Sequence, residues 1–119
     1  MYLKLGIVIK NSIIPSALSW FINIRGITLW PFIILKDEGD ERIINHERIH
    51  IMQQRELLVI GFYALYFLFW LKNLVKYYNQ KNLFSIAYAN IPFELEAYDN
   101  DNKIYYCLNR KRFSWLKYI

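Results

Sequence analysis

The chain has 119 residues, enough for a single domain over residues 1–119 and too few for two domains of ordinary size. Its one cysteine, Cys107, excludes an internal disulfide and is compatible with a reducing, cytoplasmic location. The hydrophobic fraction of 55% and the aromatic fraction of 18% are high for a soluble chain of this size, so we expect part of the surface to contact something other than water.

The first third of the chain predicts a small sheet before a helical part. Residues 1–10 alternate enough to predict a short strand. They are not a convincing signal peptide, because Lys10 and Asn11 interrupt the apolar run. Residues 16–22 predict a short apolar helix entered through Pro15. Residues 26–35 are β-branched and aromatic and predict one strand. Pro31 cannot donate a ladder hydrogen bond, so this strand is either an edge strand or a core strand with a bulge.

The only two histidines of the chain fall in one predicted helix. Asp40 suits the N-cap position, and we expect the helix to cover about residues 41–54. His46 and His50 are four residues apart, so both imidazoles project from one face, about one turn apart. The alternative is an amphipathic helix whose histidines only pack or face solvent.

Glu47 follows the first histidine, which gives the pattern His-Glu-x-x-His over residues 46–50. Two imidazoles at this spacing can bind one Zn²⁺ ion, and the carboxylate beside them can act on a metal-bound water. A catalytic zinc site has three protein ligands and one open position, so a third ligand must come from elsewhere in the chain.

An uncharged apolar run, Leu57–Leu71, follows the histidine helix and has no clear polar face. Its length lies between that of a buried core helix and that of a membrane span. A helix that is apolar all round is either buried or in contact with lipid. Three interpretations stay open: the core helix of a soluble domain, a membrane-associated segment, or a surface buried by self-association.

Two acidic residues further along, Glu94 and Glu96, are candidates for the third zinc ligand. Residues 83–89 before them predict either another helix or an extended segment that leads to Pro92. Pro92 fits the first turn of a helix that would begin near residue 91 and continue to about residue 108. The two carboxylates point about 200° apart on such a helix, so only one of them can face the histidines.

The pattern over residues 46–50, followed after an apolar stretch by Glu-Leu-Glu-Ala over residues 94–97, resembles the gluzincin branch of the zinc metallopeptidases. The resemblance covers roughly residues 26–100. In that family a second helix carries Glu-x-x-(Ala/Ser)-Asp, whose Glu is the third ligand. The resemblance therefore implies that Glu94 binds zinc and that Ala97 is the small residue at which the two helices pass closely.

The chain departs from the family pattern after Ala97. The family's Asp, which orients a zinc ligand, falls at Tyr98 here, and Asp99 comes one residue late. Glu96, Tyr98 and Asp99 are therefore the candidates for an alternative ligand or for a side chain that orients a ligand.

The resemblance implies a zinc-dependent peptidase that acts on a peptide or protein substrate, with no cofactor besides Zn²⁺. Glu47 would be the general base on the zinc-bound water, and a tyrosine would stabilise the oxyanion. The candidates for that donor are Tyr63, Tyr66, Tyr88 and Tyr98. In this family the edge strand before the metal helix holds the substrate backbone, and residues 26–35 occupy that place. The alternative function is a zinc-binding regulatory or membrane-associated module without proteolytic turnover.

The C-terminal tail, residues 109–119, mixes cations with aromatic side chains and carries much of the net charge of +5. Such a tail suits an anionic membrane surface or nucleic acid, but we favour a solvated cap whose aromatic residues pack on the body, and we do not expect nucleic acid as a partner. Together the elements predict an α+β fold of the zincin-like type, mostly helical, with a short N-terminal β-sheet before the histidine helix.

Overall fold

A computed structural model describes residues 6–18 and 25–119 of the chain. Over these residues the strands are β1 Ile7–Ile9, β2 Gly26–Leu29 and β3 Phe32–Leu35. The helices are α1 Ile14–Leu18, α2 Glu41–Glu56, α3 Ile60–Lys76, α4 Leu83–Ala89, α5 Pro92–Asn100 and α6 Tyr106–Asn109, followed by a 3-10 helix, Ser114–Tyr118. The predicted α+β class is confirmed, because a small N-terminal sheet precedes a mostly helical body. Parts of the first predicted strand, 1–5, and of the first predicted helix, 19–22, lie outside the described residues.

The sheet formed by the described strands has the order β1-β3-β2, with β3 parallel to β1 and antiparallel to β2. The prediction of one strand over residues 26–35 is wrong: Trp30 and Pro31 form a turn, and the two halves fold back into a hairpin with Ile27 opposite Ile34. Pro31 has no N–H to donate to a ladder, which suits a turn. β2 is left at an edge of this sheet, in agreement with one of the two predicted placements.

α2 confirms the predicted histidine helix and lies against the sheet. The Asp40 side chain accepts a 2.9 Å hydrogen bond from Ile43 N and so caps one of the free N–H groups of the first turn. Further along, Ile49 belongs to one buried cluster with Ile33 and Leu35 of β3. This packing fixes the rotation of α2 and therefore the direction of its two imidazoles.

α3 turns sharply away from α2 and, among the described residues, packs one face on the protein. The two helix directions differ by 111°, and the break between them includes Leu58 and Val59, both with positive φ. The inner face of α3 joins a hydrophobic cluster with α5, the residue before it and the tail: Phe62, Ile91, Phe93 and Trp115. Taken singly, no described helix has the length and apolar character to cross a membrane, although α2 and α3 meet both conditions as a bent pair.

α4 and α5 bring the carboxylate helix against α2. α4 forms where either a helix or an extended segment was predicted, and α5 begins at Pro92 as predicted. α5 ends at Asn100, about two turns before the predicted end. The reason is a contact with α2, since the Asn45 side chain donates 3.0 Å hydrogen bonds to the carbonyls of Asp101 and Lys103 and holds the chain in a turn there.

The C-terminal tail packs on the body, which confirms for Trp115 the predicted cap with inward-facing aromatics. Trp115 is 5% exposed, and its ring centroid lies 4.9 Å from that of Phe93. The Arg110 guanidinium is buried between the carboxylates of Glu56 and Glu96. Three other cations of the tail remain exposed: Lys111, Arg112 and Lys117.

Candidate metal centre

Three buried side chains from α2 and α5 converge on one point. His46 Nε2 lies 3.1 Å from Glu94 Oε1, and His50 Nε2 lies 3.1 Å from Glu94 Oε2. The two imidazole rings meet edge to face, with centroids 4.9 Å apart. One ligand atom from each residue lies within 4.8 Å of the others, so His46, His50 and Glu94 could hold one metal ion.

The orientation of His50 is set by hydrogen bonds that reach α5. The Gln53 amide nitrogen donates to Phe93 O at 3.1 Å and to Glu96 Oε1 at 2.9 Å. Both partners are acceptors, so the amide oxygen of Gln53 must face His50 Nδ1, 2.7 Å away. Because that oxygen can only accept, His50 Nδ1 carries the proton, and Nε2 of the neutral ring presents a lone pair to Glu94.

His46 is oriented in the same way from the other side. Its Nδ1 lies 3.2 Å from Asp101 Oδ2, and Asp101 also accepts a 2.8 Å hydrogen bond from Arg42 Nε. A carboxylate paired with arginine can only accept, so His46 Nδ1 is the donor. The Nε2 atom of His46 therefore also presents a lone pair to Glu94.

The Nε2 lone pairs of His46 and His50 each lie 3.1 Å from an oxygen of the Glu94 carboxylate. These groups repel one another unless a positive charge lies between them. His50 Nε2 finds no hydrogen-bond partner among the described residues, despite its 3.1 Å approach to Glu94. Without a metal, protons supply that charge. Burial disfavours the charged form of His50, but the nearby negative charge of Glu94 favours it more strongly and raises the pKa of His50 to about 9. Burial likewise opposes ionisation of Glu94, yet the two imidazoles hold its pKa well below the ordinary value.

The donor set fits zinc. Two imidazole nitrogens and one carboxylate oxygen are a known ligand set for catalytic zinc, and they leave one coordination position open. Ligands of a tetrahedral zinc at about 2.1 Å lie roughly 3.4 Å apart. Each imidazole Nε2 lies 3.1 Å from the nearer oxygen of Glu94, which is Oε1 for His46 and Oε2 for His50. Tyr66 OH donates to Glu94 Oε2 at 2.7 Å and so orients the carboxylate from α3.

Glu47 lies beside this group and is held by the sheet. Its Oε2 accepts a 2.6 Å hydrogen bond from Thr28 Oγ1 of β2. Its Oε1 lies next to Gly26, where an added Cβ atom would come within 3.3 Å of that oxygen. The hydroxyl of Thr28 and the small size of Gly26 therefore position this carboxylate.

Two cavities share three wall residues, Gly26, Glu47 and Tyr88. The first, of about 330 Å³, lies between β2, α2 and α3 and contains His50 and Glu94 in its wall. Most of its remaining wall is aromatic: Phe62, Tyr63, Tyr66, Phe67 and Trp70. The second, of about 380 Å³, lies on the side of His46, and its wall is richer in polar groups, among them Arg42, Tyr98 and Asp101.

The four tyrosines predicted as oxyanion donors occupy different positions. The hydroxyls of Tyr63 and Tyr66 donate to protein acceptors, at 3.0 Å and 2.7 Å respectively. Tyr98 packs its ring against His46, with centroids 4.4 Å apart. Tyr88 faces both cavities, and burial raises its pKa well above the ordinary value, so its hydroxyl keeps its proton. Of the four, Tyr88 is the one that lines both cavities.

Glu96 and Asp99 lie away from the histidines. Glu96 points to the other side of α5, where its oxygens accept hydrogen bonds from Arg110 and from Tyr106. It reaches His50 only through the amide of Gln53. Asp99 accepts a 2.7 Å hydrogen bond from a tail tyrosine at the surface. In this arrangement Glu94, and not Glu96, faces the two imidazoles.

Three residues of the site were not identified from the sequence: Thr28, Gln53 and Asp101. Asp101 follows Glu94 by seven residues, which is about two helical turns, so a search for acidic residues on the face of Glu94 finds it. Gln53 follows His50 by three residues and can be found by the same rule. Thr28 has no such signal, because its place beside Glu47 depends on how the hairpin packs on α2.

No protein-family model matches the chain, and no curated protein or solved structure matches it either. The assignment of function therefore depends on the arrangement of the side chains themselves. A helix with two histidines four residues apart and a glutamate from a second helix form a buried group that could bind a metal ion.

Proposed function

We propose that the protein is a zinc-dependent peptidase. The observation that carries the proposal is the convergence of two oriented imidazoles on Glu94, beside a second carboxylate that borders a cavity. His46, His50 and Glu94 would hold the ion, and a bound zinc supplies an acidified water and polarises the scissile carbonyl. A purely structural zinc site is closed by four protein ligands and needs no neighbouring base and no adjoining cavity.

Glu47 is the general base of this proposal. It takes a proton from the attacking water and passes it to the leaving amine as the peptide C–N bond breaks. The hydrogen bond from Thr28 fixes the rotation of the carboxylate, so little reorganisation is needed before the transfer. Tyr88 donates to the carbonyl oxygen as negative charge develops there.

An extended peptide that pairs with β2 is the proposed substrate. The carbonyl of Thr28 accepts hydrogen bonds from Gln54 and Tyr63 of the helices, so Thr28 faces away from β3. Alternate residues of an antiparallel strand face the same way, so the backbone of Gly26 also points away from β3. Gln54 and Tyr63 occupy the carbonyl of Thr28, so the peptide would pair with β2 at Gly26. A peptide added there runs along the aromatic cavity, which accepts a bulky apolar side chain beside the metal ligands.

Metal analysis combined with peptide cleavage tests the proposal. We expect the purified chain to contain one zinc ion and to cleave members of a quenched fluorescent peptide library. Glu47→Gln should keep the zinc and lose cleavage by about a hundredfold or more, because the base is removed. His46→Ala should lose both the zinc and the activity. Glu41→Gln, an exposed carboxylate on the same helix, is the matched control.

Each outcome of this experiment assigns a different part of the site. Cleavage by Glu47→Gln at the wild-type rate contradicts the role of the base. A chain that binds no zinc contradicts the metal centre. Zinc retained in the wild-type chain without cleavage of any peptide supports the alternative, a zinc-binding module without turnover.

A further inference from the structure

A continuous apolar stripe runs along the outer face of α3. At about 100° per residue, six side chains fall within a sector of about 100° on this helix: Ile60, Ala64, Phe67, Leu68, Leu71 and Val75. All six are exposed, Ile60 at 80% and Val75 at 76%. The opposite face of α3 packs on α2 and α4. An exposed apolar face of this length marks a contact surface rather than scattered surface hydrophobes.

The same part of the chain carries positive charge only. Residues 57–93 contain three lysines, Lys72, Lys76 and Lys81, and no acidic residue. All three lysines are exposed, and none forms an ion pair within the described part of the chain. Lys72 and Lys76 lie on α3 itself, to one side of the stripe in its C-terminal half.

We propose that the α3 stripe rests on an anionic lipid surface. A helix of 17 residues is about 25 Å long, and its stripe would lie in the plane of the interface with its apolar side chains between the headgroups and the upper acyl chains. Lys72 and Lys76 can extend their amines to the headgroups while their methylene stems stay against the apolar region.

A lipid surface fits this face better than a second copy of the chain. Two α3 helices packed against each other would bury both stripes, but the lysines of each would meet no counter-charge, because α3 contains no acidic residue. Anionic headgroups supply that counter-charge along the whole contact. Charge complementarity therefore favours the membrane.

The stripe is continuous with the aromatic cavity of the candidate metal centre. Phe67 belongs to the stripe and also lines the cavity of about 330 Å³, together with Tyr63 and Trp70. Phe67 is 56% exposed, so one wall of the cavity reaches the surface that would face lipid. Docking through α3 would place the cavity mouth at the membrane.

Vesicle sedimentation tests the proposal. The chain is mixed with vesicles of phosphatidylcholine and phosphatidylserine, or of phosphatidylcholine alone, at low and at high salt. We expect binding to the mixed vesicles at low salt, and partitioning about tenfold weaker without phosphatidylserine or at high salt, since headgroup charge is then absent or screened. Lys72→Gln combined with Lys76→Gln should weaken binding by a similar factor.

Serine variants separate the stripe from other exposed hydrophobes. Leu68→Ser combined with Val75→Ser should reduce partitioning about tenfold or more, because both side chains leave water on docking. Ile104→Ser is the matched control, since Ile104 is 51% exposed but lies outside α3. Glu47→Gln should bind like the wild type, because the assay requires neither zinc nor cleavage.

Three results overturn the proposal. The first is absence of binding to either vesicle type, and the second is equal binding to both. The third is a dimer in size-exclusion chromatography that the double serine variant dissociates, without vesicle binding, which assigns the stripe to a second copy of the chain. A monomer that binds only the mixed vesicles through the stripe supports it.

Discussion

At the scale of single residues, the candidate site depends on which nitrogen of each histidine carries the proton. Gln53 accepts from Nδ1 of His50 and Asp101 from Nδ1 of His46, and this leaves both Nε2 atoms for a metal. Neither partner belongs to the motif over residues 46–50. The motif therefore specifies the two rings, while their tautomers come from residues outside it.

Asp101→Asn should weaken zinc binding about tenfold or more. The Asp101 carboxylate accepts a hydrogen bond from His46 Nδ1 and adds negative charge close to the ion. A neutral amide is a weaker acceptor and carries no negative charge. Competition with a chromogenic chelator at constant pH measures the affinity. Asp99→Asn is the control, because Asp99 bonds to Tyr118 at the surface. Unchanged affinity in Asp101→Asn would mean that His46 is oriented without this carboxylate.

Thr28→Val should keep the zinc and lower kcat for peptide cleavage roughly tenfold, with little change in KM. Valine preserves the β-branched shape but removes the O–H that holds Glu47 Oε2 at 2.6 Å, so the base spends less time in a productive orientation. Thr28→Ser restores the hydroxyl and should retain most of the activity. Equal kcat values for the valine and serine variants would mean that the Thr28 hydroxyl does not contribute to catalysis.

At the scale of elements, local sequence signals locate the starts of the helices but not all of their ends. Asp40 and Pro92 mark the starts of α2 and α5 through their own backbone chemistry. The end of α5 depends on Asn45 of another helix, and no local pattern contains that contact. The sequence predicts one strand in place of the hairpin because residues on both sides of Pro31 favour β structure equally. Helical geometry allows only one of the two glutamates to face the histidines, and the packing of α5 on α2 selects Glu94.

Arg110→Met should destabilise the fold by about 3–5 kcal/mol, because it leaves two buried carboxylates without a positive partner. The Arg110 side chain is 1% exposed and joins the tail to Glu56 of α2 at 3.0 Å and to Glu96 of α5. Chemical denaturation at neutral pH measures the free energy of unfolding. Arg112→Met, at an exposed position of the same tail, should change it by less than about 0.5 kcal/mol. Equal losses of unfolding free energy in the two variants would mean that the ion pairs of Arg110 with Glu56 and Glu96 do not stabilise the fold.

The ion pairs of Arg110 with Glu56 and Glu96 also predict that the stability of the fold is sensitive to acid. Burial opposes ionisation of Glu96, but hydrogen bonds from Arg110, Tyr106 and Gln53 hold its pKa below the ordinary value of 4.5. A carboxyl group whose pKa is lower in the folded state stabilises the fold above its unfolded pKa, and this contribution is lost as the pH falls through the folded pKa. The free energy of unfolding should therefore fall below about pH 4.5, and more steeply in the wild type than in Glu96→Gln. Identical slopes in a denaturation series over this range would assign the acid sensitivity to other groups.

At the scale of the whole molecule, the candidate metal centre lies where two packed clusters meet. The first cluster joins the sheet to α2, and the second joins α3 to α5 and the tail. α5 borders both, with Ala97 in the first and Phe93 in the second, and Glu94 lies between these two residues. Ala97 has no exposed surface where α5 packs on α2. An ion held by both helices would join the two clusters.

Chelation of the ion should therefore lower the stability of the whole fold and not of one loop. Free zinc at about a thousand times its Kd stabilises the native state by about 4 kcal/mol, which corresponds to a Tm shift of roughly 10–20 °C for a chain of this length. Thermal melts of the protein with a chelator, and again after zinc is restored, measure the shift. His50→Ala removes a ligand, so its Tm should not respond to zinc. If chelation leaves the wild-type Tm unchanged, the three buried side chains are held together by shared protons alone, and the metal centre does not exist in solution.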